Sequence, residues 1–131
     1  DGKTTMARLW EAVPGAIVLS DDRIVVRPGP DGTWEMHGTP WHGEAELAAK
    51  ARAEVAGAFV LGRGGENRIV GMSRTEAIMA LLARSFPPFH SPEGLASVLR
   101  TLDGLSARIP TRSLAFVPDA CVVRFVLGDG R

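Results

Sequence analysis

The stretch that decides the fold is residues 1–22, DGKTTMARLWEAVPGAIVLSDD. Its first half predicts an amphipathic helix over residues 4–13, because apolar residues recur at i, i+3, i+4 and i+7 before Pro14-Gly15 ends the pattern. The short apolar run over residues 16–19 predicts a strand buried on both faces, as in a parallel sheet. Two aspartates follow that strand directly. A helix, a buried strand and acids at its end indicate an α/β domain.

The opening residues Gly2-Lys3-Thr4 match the last three positions of the phosphate-binding loop G-x-x-x-x-G-K-[ST]. In such a loop the lysine stands at the start of a helix, where free backbone amides and the helix dipole favour phosphate. Thr4 would offer its hydroxyl to Mg²⁺. A lysine and a threonine at a frayed helix start are the alternative. Because the strand and earlier glycines of the loop are missing, we expect an N-terminally truncated domain that binds ATP poorly.

The adjacent carboxylates Asp21 and Asp22 close the predicted strand. In open α/β sheets the ligand crevice lies outside the carboxyl ends of the strands. One acid there could hold Mg²⁺ through water, and its neighbour could accept a proton from an attacking hydroxyl. Ser-Asp-Asp is also a good composition for a polar turn between two strands. The preceding Gly-Lys-Thr helix favours the site.

Residues 37–44, HGTPWHGE, indicate a shaped loop, because they contain two glycines, a proline and a tryptophan. His42 and Glu44 could reach a metal or a phosphate. A zinc site that includes both histidines is disfavoured, since other ligands are not evident. A structural loop pinned by Trp41 is the alternative.

The rest of the chain predicts further elements of a mixed α/β domain. Residues 44–55 have helical composition, which tertiary contacts could override, and residues 62–68 form a glycine-rich turn. In that turn we favour solvated arginines over phosphate contacts for Arg63 and Arg68. The other predictions are a strand at 23–27, a turn at 28–32 and a hairpin partner from Thr33, strands at 58–61, 67–73 and 113–117, helices after the caps Ser73 and Ser91, and a closing helix after Pro118.

Composition excludes several classes of function. The 131 residues carry 15 basic and 15 acidic side chains, so no broad field attracts nucleic acid or a membrane surface. No apolar run approaches the length of a membrane span. The single cysteine, Cys121, excludes an internal disulfide framework and a cysteine-cluster metal site, and it favours a reducing, cytoplasmic setting.

The order and spacing of GKTT, VLSDDRIVVR, MHGTPWHGE and RSLAFVPDACVV resemble the HPr kinase family, and more closely its short relatives that keep only the catalytic domain. That family shares its fold with phosphoenolpyruvate carboxykinase. The resemblance implies a single HPr kinase-like catalytic domain over residues 1–131. Its fold would be α/β, a P-loop type with a mixed sheet flanked by helices, here without the first strand and the glycine start of the loop.

The same resemblance implies an ATP- and Mg²⁺-dependent kinase that transfers the γ-phosphate to a serine of a protein or peptide. The family's carrier-protein substrate does not follow, because the region that engages it is not evident. A non-catalytic binding relative and a small-molecule kinase remain alternatives, and homo-oligomer formation is left open. The implied site residues are Gly2, Lys3, Thr4 and Thr5 for the nucleotide, Thr4, Asp21 and Glu44 for the metal, and Asp21 and Asp22 for catalysis, with either aspartate as the base.

Overall fold

The computed structural model describes residues 2–88 and 90–129, which form an α/β protein with two small sheets. The helices of this part are α1 (Lys3–Glu11), α2 (Arg74–Ala83), α3 (Pro92–Arg108) and α4 (Cys121–Asp129). The strands are β1 (Val25–Pro28), β2 (Trp34–His37), β3 (Arg52–Glu54), β4 (Ala58–Arg63), β5 (Arg68–Gly71) and β6 (Thr111–Phe116). No helix within the described residues is long and apolar enough to cross a membrane.

The two sheets differ in topology. The first has the order β1-β2-β3 and is antiparallel, and the turn Pro30–Gly32 joins its first two strands as predicted. The second has the order β4-β6-β5, with β6 parallel to β4 and antiparallel to β5. The parallel pair needs a long crossover, and β5, α2 and α3 supply it.

Each sheet has its own apolar core. The second sheet packs against α1 and α4. The buried residues of this core are Met6, Leu114, Phe116 and Val122. The first sheet packs against α2 and α3 around Trp34, Val55 and Leu105. The predicted stripe on α1 is confirmed, since Leu9 and Trp10 also pack on the first of these clusters. Burying each large apolar side chain contributes roughly 1.5–3 kcal/mol.

The predicted buried strand at residues 16–19 is wrong. Residues 16–19 have no strand assignment, and the Ile17 side chain is 69% exposed. Backbone pairing starts only at Leu19, whose carbonyl accepts from the Ala49 amide at 3.0 Å. A short apolar run alone does not indicate whether a partner strand lies beside it.

The helical composition of residues 44–55 is overridden by tertiary contacts. Glu46 has a φ of 56°, which a right-handed helix does not allow. Further on, β3 pairs with β2. Gly38 lies against this segment, and a Cβ there would overlap the backbone carbonyl of Ala49. A distant part of the chain therefore dictates the extended conformation.

Both predicted helix caps are confirmed. The Ser73 hydroxyl accepts from the Glu76 amide at 3.1 Å, and the Glu76 carboxylate accepts from the Ser73 amide at 2.9 Å. These hydrogen bonds hold the pKa of Glu76 below its ordinary value. The Ser91 hydroxyl caps α3 by accepting from the Gly94 amide at 3.0 Å, and Pro92 occupies the first helical position.

Replacing Ser73 by alanine should lower the free energy of unfolding by about 1 kcal/mol, because the α2 amide loses its side-chain acceptor. Urea unfolding measures this change. Ser97→Ala is the control, because Ser97 is exposed to solvent and lies in the middle of α3, away from its caps. This substitution should leave the free energy of unfolding nearly unchanged. Equal unfolding midpoints for Ser73→Ala and the unmodified protein would refute a stabilising role of the cap.

Candidate functional site

A cavity of about 440 Å³ lies where the start of α1, the 43–47 loop and the end of β4 meet. Six of the seven predicted site residues line it, and Asp22 lies at its border through a contact with Lys3. Gly43 and Arg63 complete the lining. The lining residues are Gly2, Lys3, Thr4, Thr5, Asp21, Gly43, Glu44 and Arg63.

Gly2 caps α1 in a conformation that only glycine adopts readily. Its φ is 104°, and a Cβ there would approach the Phe116 ring to 2.9 Å. The Gly2 carbonyl accepts from the Met6 amide at 2.9 Å, which closes the first turn. Among the described residues, no side chain caps this helix start. The N-terminus of α1 therefore faces the cavity with the partial positive charge that attracts anions.

Asp21 holds the 43–47 loop in place. Its side chain is 1% exposed and accepts from the amides of Gly43 and Leu47 on Oδ1, at 2.7 and 3.1 Å, and from Ala45 on Oδ2, at 2.7 Å. Burial acts to raise the pKa of Asp21, but the backbone hydrogen bonds outweigh it and lower the pKa below its ordinary 3.8. Asp21 is therefore a fixed anion on one wall of the cavity.

Ser20 makes the turn that separates the two aspartates. Its hydroxyl accepts from the amides of Asp22 and Arg23, at 3.0 and 3.1 Å, and donates to the Trp41 carbonyl at 2.8 Å. The Thr39 hydroxyl donates to the Arg23 carbonyl at 2.7 Å. Ser-Asp-Asp therefore forms a polar turn, although a strand follows it and none precedes it in the described residues, and Asp21 lines the cavity from this turn.

Asp22 has different surroundings from Asp21. Its side chain is 27% exposed and lies 3.8 Å from Lys3 Nζ through Oδ1 and 2.9 Å from Arg23 Nε through Oδ2. Lys3 Nζ also donates to the Asp22 carbonyl at 3.4 Å. Ion pairs with this exposure are weak, typically about 0–1 kcal/mol, so a stronger anion could draw Lys3 away.

The histidines do not join the site. His37 Nε2 lies 3.1 Å from the Glu35 carboxylate on β2, and His42 contacts the carbonyl of its neighbour Gly43. Glu44 lines the cavity, and Arg8 of α1 donates to the Glu44 carbonyl at 3.4 Å. Over residues 2–88 and 90–129, no group of three or more His, Cys, Asp or Glu side chains is positioned to hold a metal ion.

Arg63 is exposed, as expected for the turn, and it also lines the cavity. It is the last residue of the half-buried strand β4, and strand ends border ligand crevices in α/β folds. Arg68, the other arginine of that turn, begins β5 and is not among the lining residues.

No protein-family model, curated protein or solved structure matches this chain.

Replacing Asp21 by asparagine should destabilise the protein and weaken its pH dependence in acid. Asparagine keeps one oxygen acceptor, but its amino group would face backbone N–H donors. Because the folded pKa of Asp21 lies below 3.8, the stabilisation is fully present above that pH and is lost as the pH falls through the folded pKa.

Urea unfolding between pH 2.5 and pH 7 measures this effect, with Asp22→Asn as the control for an exposed carboxylate. We expect a lower stability for Asp21→Asn at pH 7 and a smaller loss below pH 4. An Asp21→Asn curve parallel to that of the unmodified protein would show that Asp21 does not anchor the loop.

Proposed function

We propose that the protein is an ATP-dependent kinase of the HPr kinase type, with the P-loop, phosphoenolpyruvate carboxykinase-like fold. It would transfer the γ-phosphate to a serine of a protein or peptide in the cytoplasm. One observation carries this proposal: Gly2, Lys3, Thr4 and Thr5 start a helix at a cavity that Asp21 and Glu44 also line. That placement combines an anion site with nearby carboxylates.

The phosphates of ATP would lie against the start of α1. The helix N-terminus and Lys3 would offset their negative charge, and Arg63 would reach them from the end of β4. Catalysis of this kind depends mainly on positioning and on charge stabilisation. Lys3 would exchange its weak contact with Asp22 for the more highly charged phosphates.

The donors at this cavity fit Mg²⁺. The Thr4 hydroxyl and the carboxylates of Asp21 and Glu44 are hard oxygen ligands. Asp21 already accepts backbone amides from the 43–47 loop, so its part would be mainly to supply negative charge beside the cation, and Thr4 and Glu44 would be the more accessible ligands. Mg²⁺ commonly binds through one or two carboxylates together with substrate phosphates, and when bound it would neutralise phosphate charge.

Asp22 is the better candidate for the base. Asp21 is buried, and its lowered pKa makes it a poor proton acceptor, whereas Asp22 is partly exposed beside Lys3. In the proposed step the serine Oγ forms a bond to the γ-phosphorus as the bond from that phosphorus to the β–γ bridging oxygen breaks. ADP leaves, and the serine proton passes to Asp22.

A non-catalytic binding module is the second candidate. Both aspartates already have structural roles that need no catalysis to explain them. Asp21 anchors a loop, and Asp22 forms ion pairs with Lys3 and Arg23. Such a module would bind nucleotide or a partner at the same cavity without turnover.

Substitution at Lys3 and Asp22 should separate nucleotide binding from phosphoryl transfer. Lys3→Met should weaken ADP binding, measured by calorimetry with Mg²⁺. Asp22→Asn should retain ADP binding but lower kcat for serine phosphorylation by about 10²–10⁴-fold, because the base is lost. Asp22→Asn with unchanged kcat would contradict its assignment as base, and ADP binding without any turnover in the unmodified protein would favour the binding module.

Arg63→Ala should weaken ATP binding by about tenfold or more, because a charge-assisted hydrogen bond to phosphate is worth roughly 1.5–3 kcal/mol. Arg68→Ala is the matched control, since it removes the same charge from the other end of the turn. Equal effects of the two substitutions would indicate a general loss of positive charge instead of a contact with phosphate.

A further inference from the structure

A second cavity, of about 590 Å³, lies between the first sheet and the helices α2 and α3. Its volume falls within the range of ligand pockets, about 300–1,000 Å³. The walls are mainly apolar and include Ile24, Val26, Met36, Leu81, Val98 and Leu105. We refer to it below as the apolar cavity.

Asp22 connects the apolar cavity to the site at the start of α1. It lines the apolar cavity itself, while its Oδ1 lies 3.8 Å from Lys3 Nζ, and Lys3 lines the other cavity. A group bound in the apolar cavity can therefore approach the same carboxylate that faces the proposed phosphate site.

We propose that the apolar cavity binds the phosphoacceptor, a peptide segment with apolar side chains beside its serine and an acidic group that meets Arg84. This inference rests on the proposed function, because it assigns the second substrate of that kinase. The serine hydroxyl would lie against Asp22, and the apolar side chains would fill the space between the sheet and α3.

The charges that line the apolar cavity favour an acidic occupant. Its charged lining residues are Asp22, Arg23 and Arg84. Arg23 is already engaged, since its Nε contacts Asp22 at 2.9 Å and its guanidinium lies 4.3 Å from the centre of the Phe86 ring. Arg84 donates to the Ala80 carbonyl at 2.9 Å, and no described carboxylate forms an ion pair with it. One cationic group thus remains for an acid on the ligand.

Exposed aromatic residues favour a peptide over a small molecule. Phe86 lines the apolar cavity and is 70% exposed, and Trp41, whose ring centre lies 5.5 Å from the Arg23 guanidinium, is 55% exposed. These rings extend the apolar surface beyond the cavity itself. An occupant that continues outside the cavity, as a peptide chain does, would cover them.

The test is binding of a fluorophore-labelled peptide, Leu-Leu-Ser-Leu-Glu, measured by fluorescence anisotropy without nucleotide. Ser97→Trp places an indole in the apolar cavity from an exposed position of α3 and should weaken binding at least tenfold. Ala107→Trp, at an exposed position of the same helix outside the lining, is the matched control and should leave binding unchanged. Circular dichroism checks that both variants fold.

Two comparisons test the chemistry of the occupant. Replacing the leucines of the peptide by asparagine should weaken binding at least tenfold. Arg84→Glu should reverse the preference, so that Leu-Leu-Ser-Leu-Lys binds more tightly than the glutamate peptide. This charge reversal tests the site even if Ser97→Trp does not fold.

The proposal is overturned if no peptide binds, if Ser97→Trp and Ala107→Trp behave alike, or if the asparagine peptide binds equally well. It is also overturned if octanoate binds in a manner sensitive to Ser97→Trp while the peptides do not, because the site would then take a small molecule. ADP binding is measured separately. Peptide binding as expected, but without phosphoserine formation when ATP is added, would support a peptide-binding cavity and refute the kinase and, with it, the role of the peptide as phosphoacceptor.

Discussion

The candidate site depends on the buried carboxylate of Asp21 and the three backbone amides that it accepts. The hydrogen bonds from Gly43, Ala45 and Leu47 join two segments that lie more than twenty residues apart. An unsatisfied buried amide is costly, so the loop adopts the one path that brings all three donors to this carboxylate. That path places Glu44 in the lining of the cavity that the start of α1 also borders.

The two neighbouring aspartates can have different roles because the turn at Ser20 places their side chains in different surroundings. Asp21 faces inward and is held by backbone donors, whereas Asp22 lies at the border of two cavities beside Lys3. The start of α1 is fixed in turn by Gly2 against the Phe116 ring of the central strand β6. A positive helix end, a lysine and two carboxylates thus meet in one region, an arrangement that the proposed phosphoryl transfer would use.

The features that could be predicted from the sequence are local ones. The apolar stripe of α1, the caps at Ser73 and Ser91 and the turn before Trp34 each depend on residues a few positions apart, and all are confirmed. The features that could not be predicted depend on distant partners. Residues 16–19 do not form the predicted strand. Residues 44–55 have helical propensity but do not form a helix, because they contact Asp21 and β2 instead.

The candidate site follows the same rule. The local Gly-Lys-Thr motif predicted Gly2, Lys3, Thr4 and Thr5 at a helix start beside the cavity. Asp21 was expected at the end of a strand that the structure does not contain, and it lines the cavity beside a loop more than twenty residues away, while Arg63 lines it through the pairing of β4 with β6. The most direct test of the account is an NMR titration of the ¹⁵N-labelled protein with ADP and Mg²⁺. We expect saturable shifts concentrated on the amides of Lys3, Thr4 and Thr5. Shifts confined to the apolar cavity, or none at millimolar ADP, would contradict it.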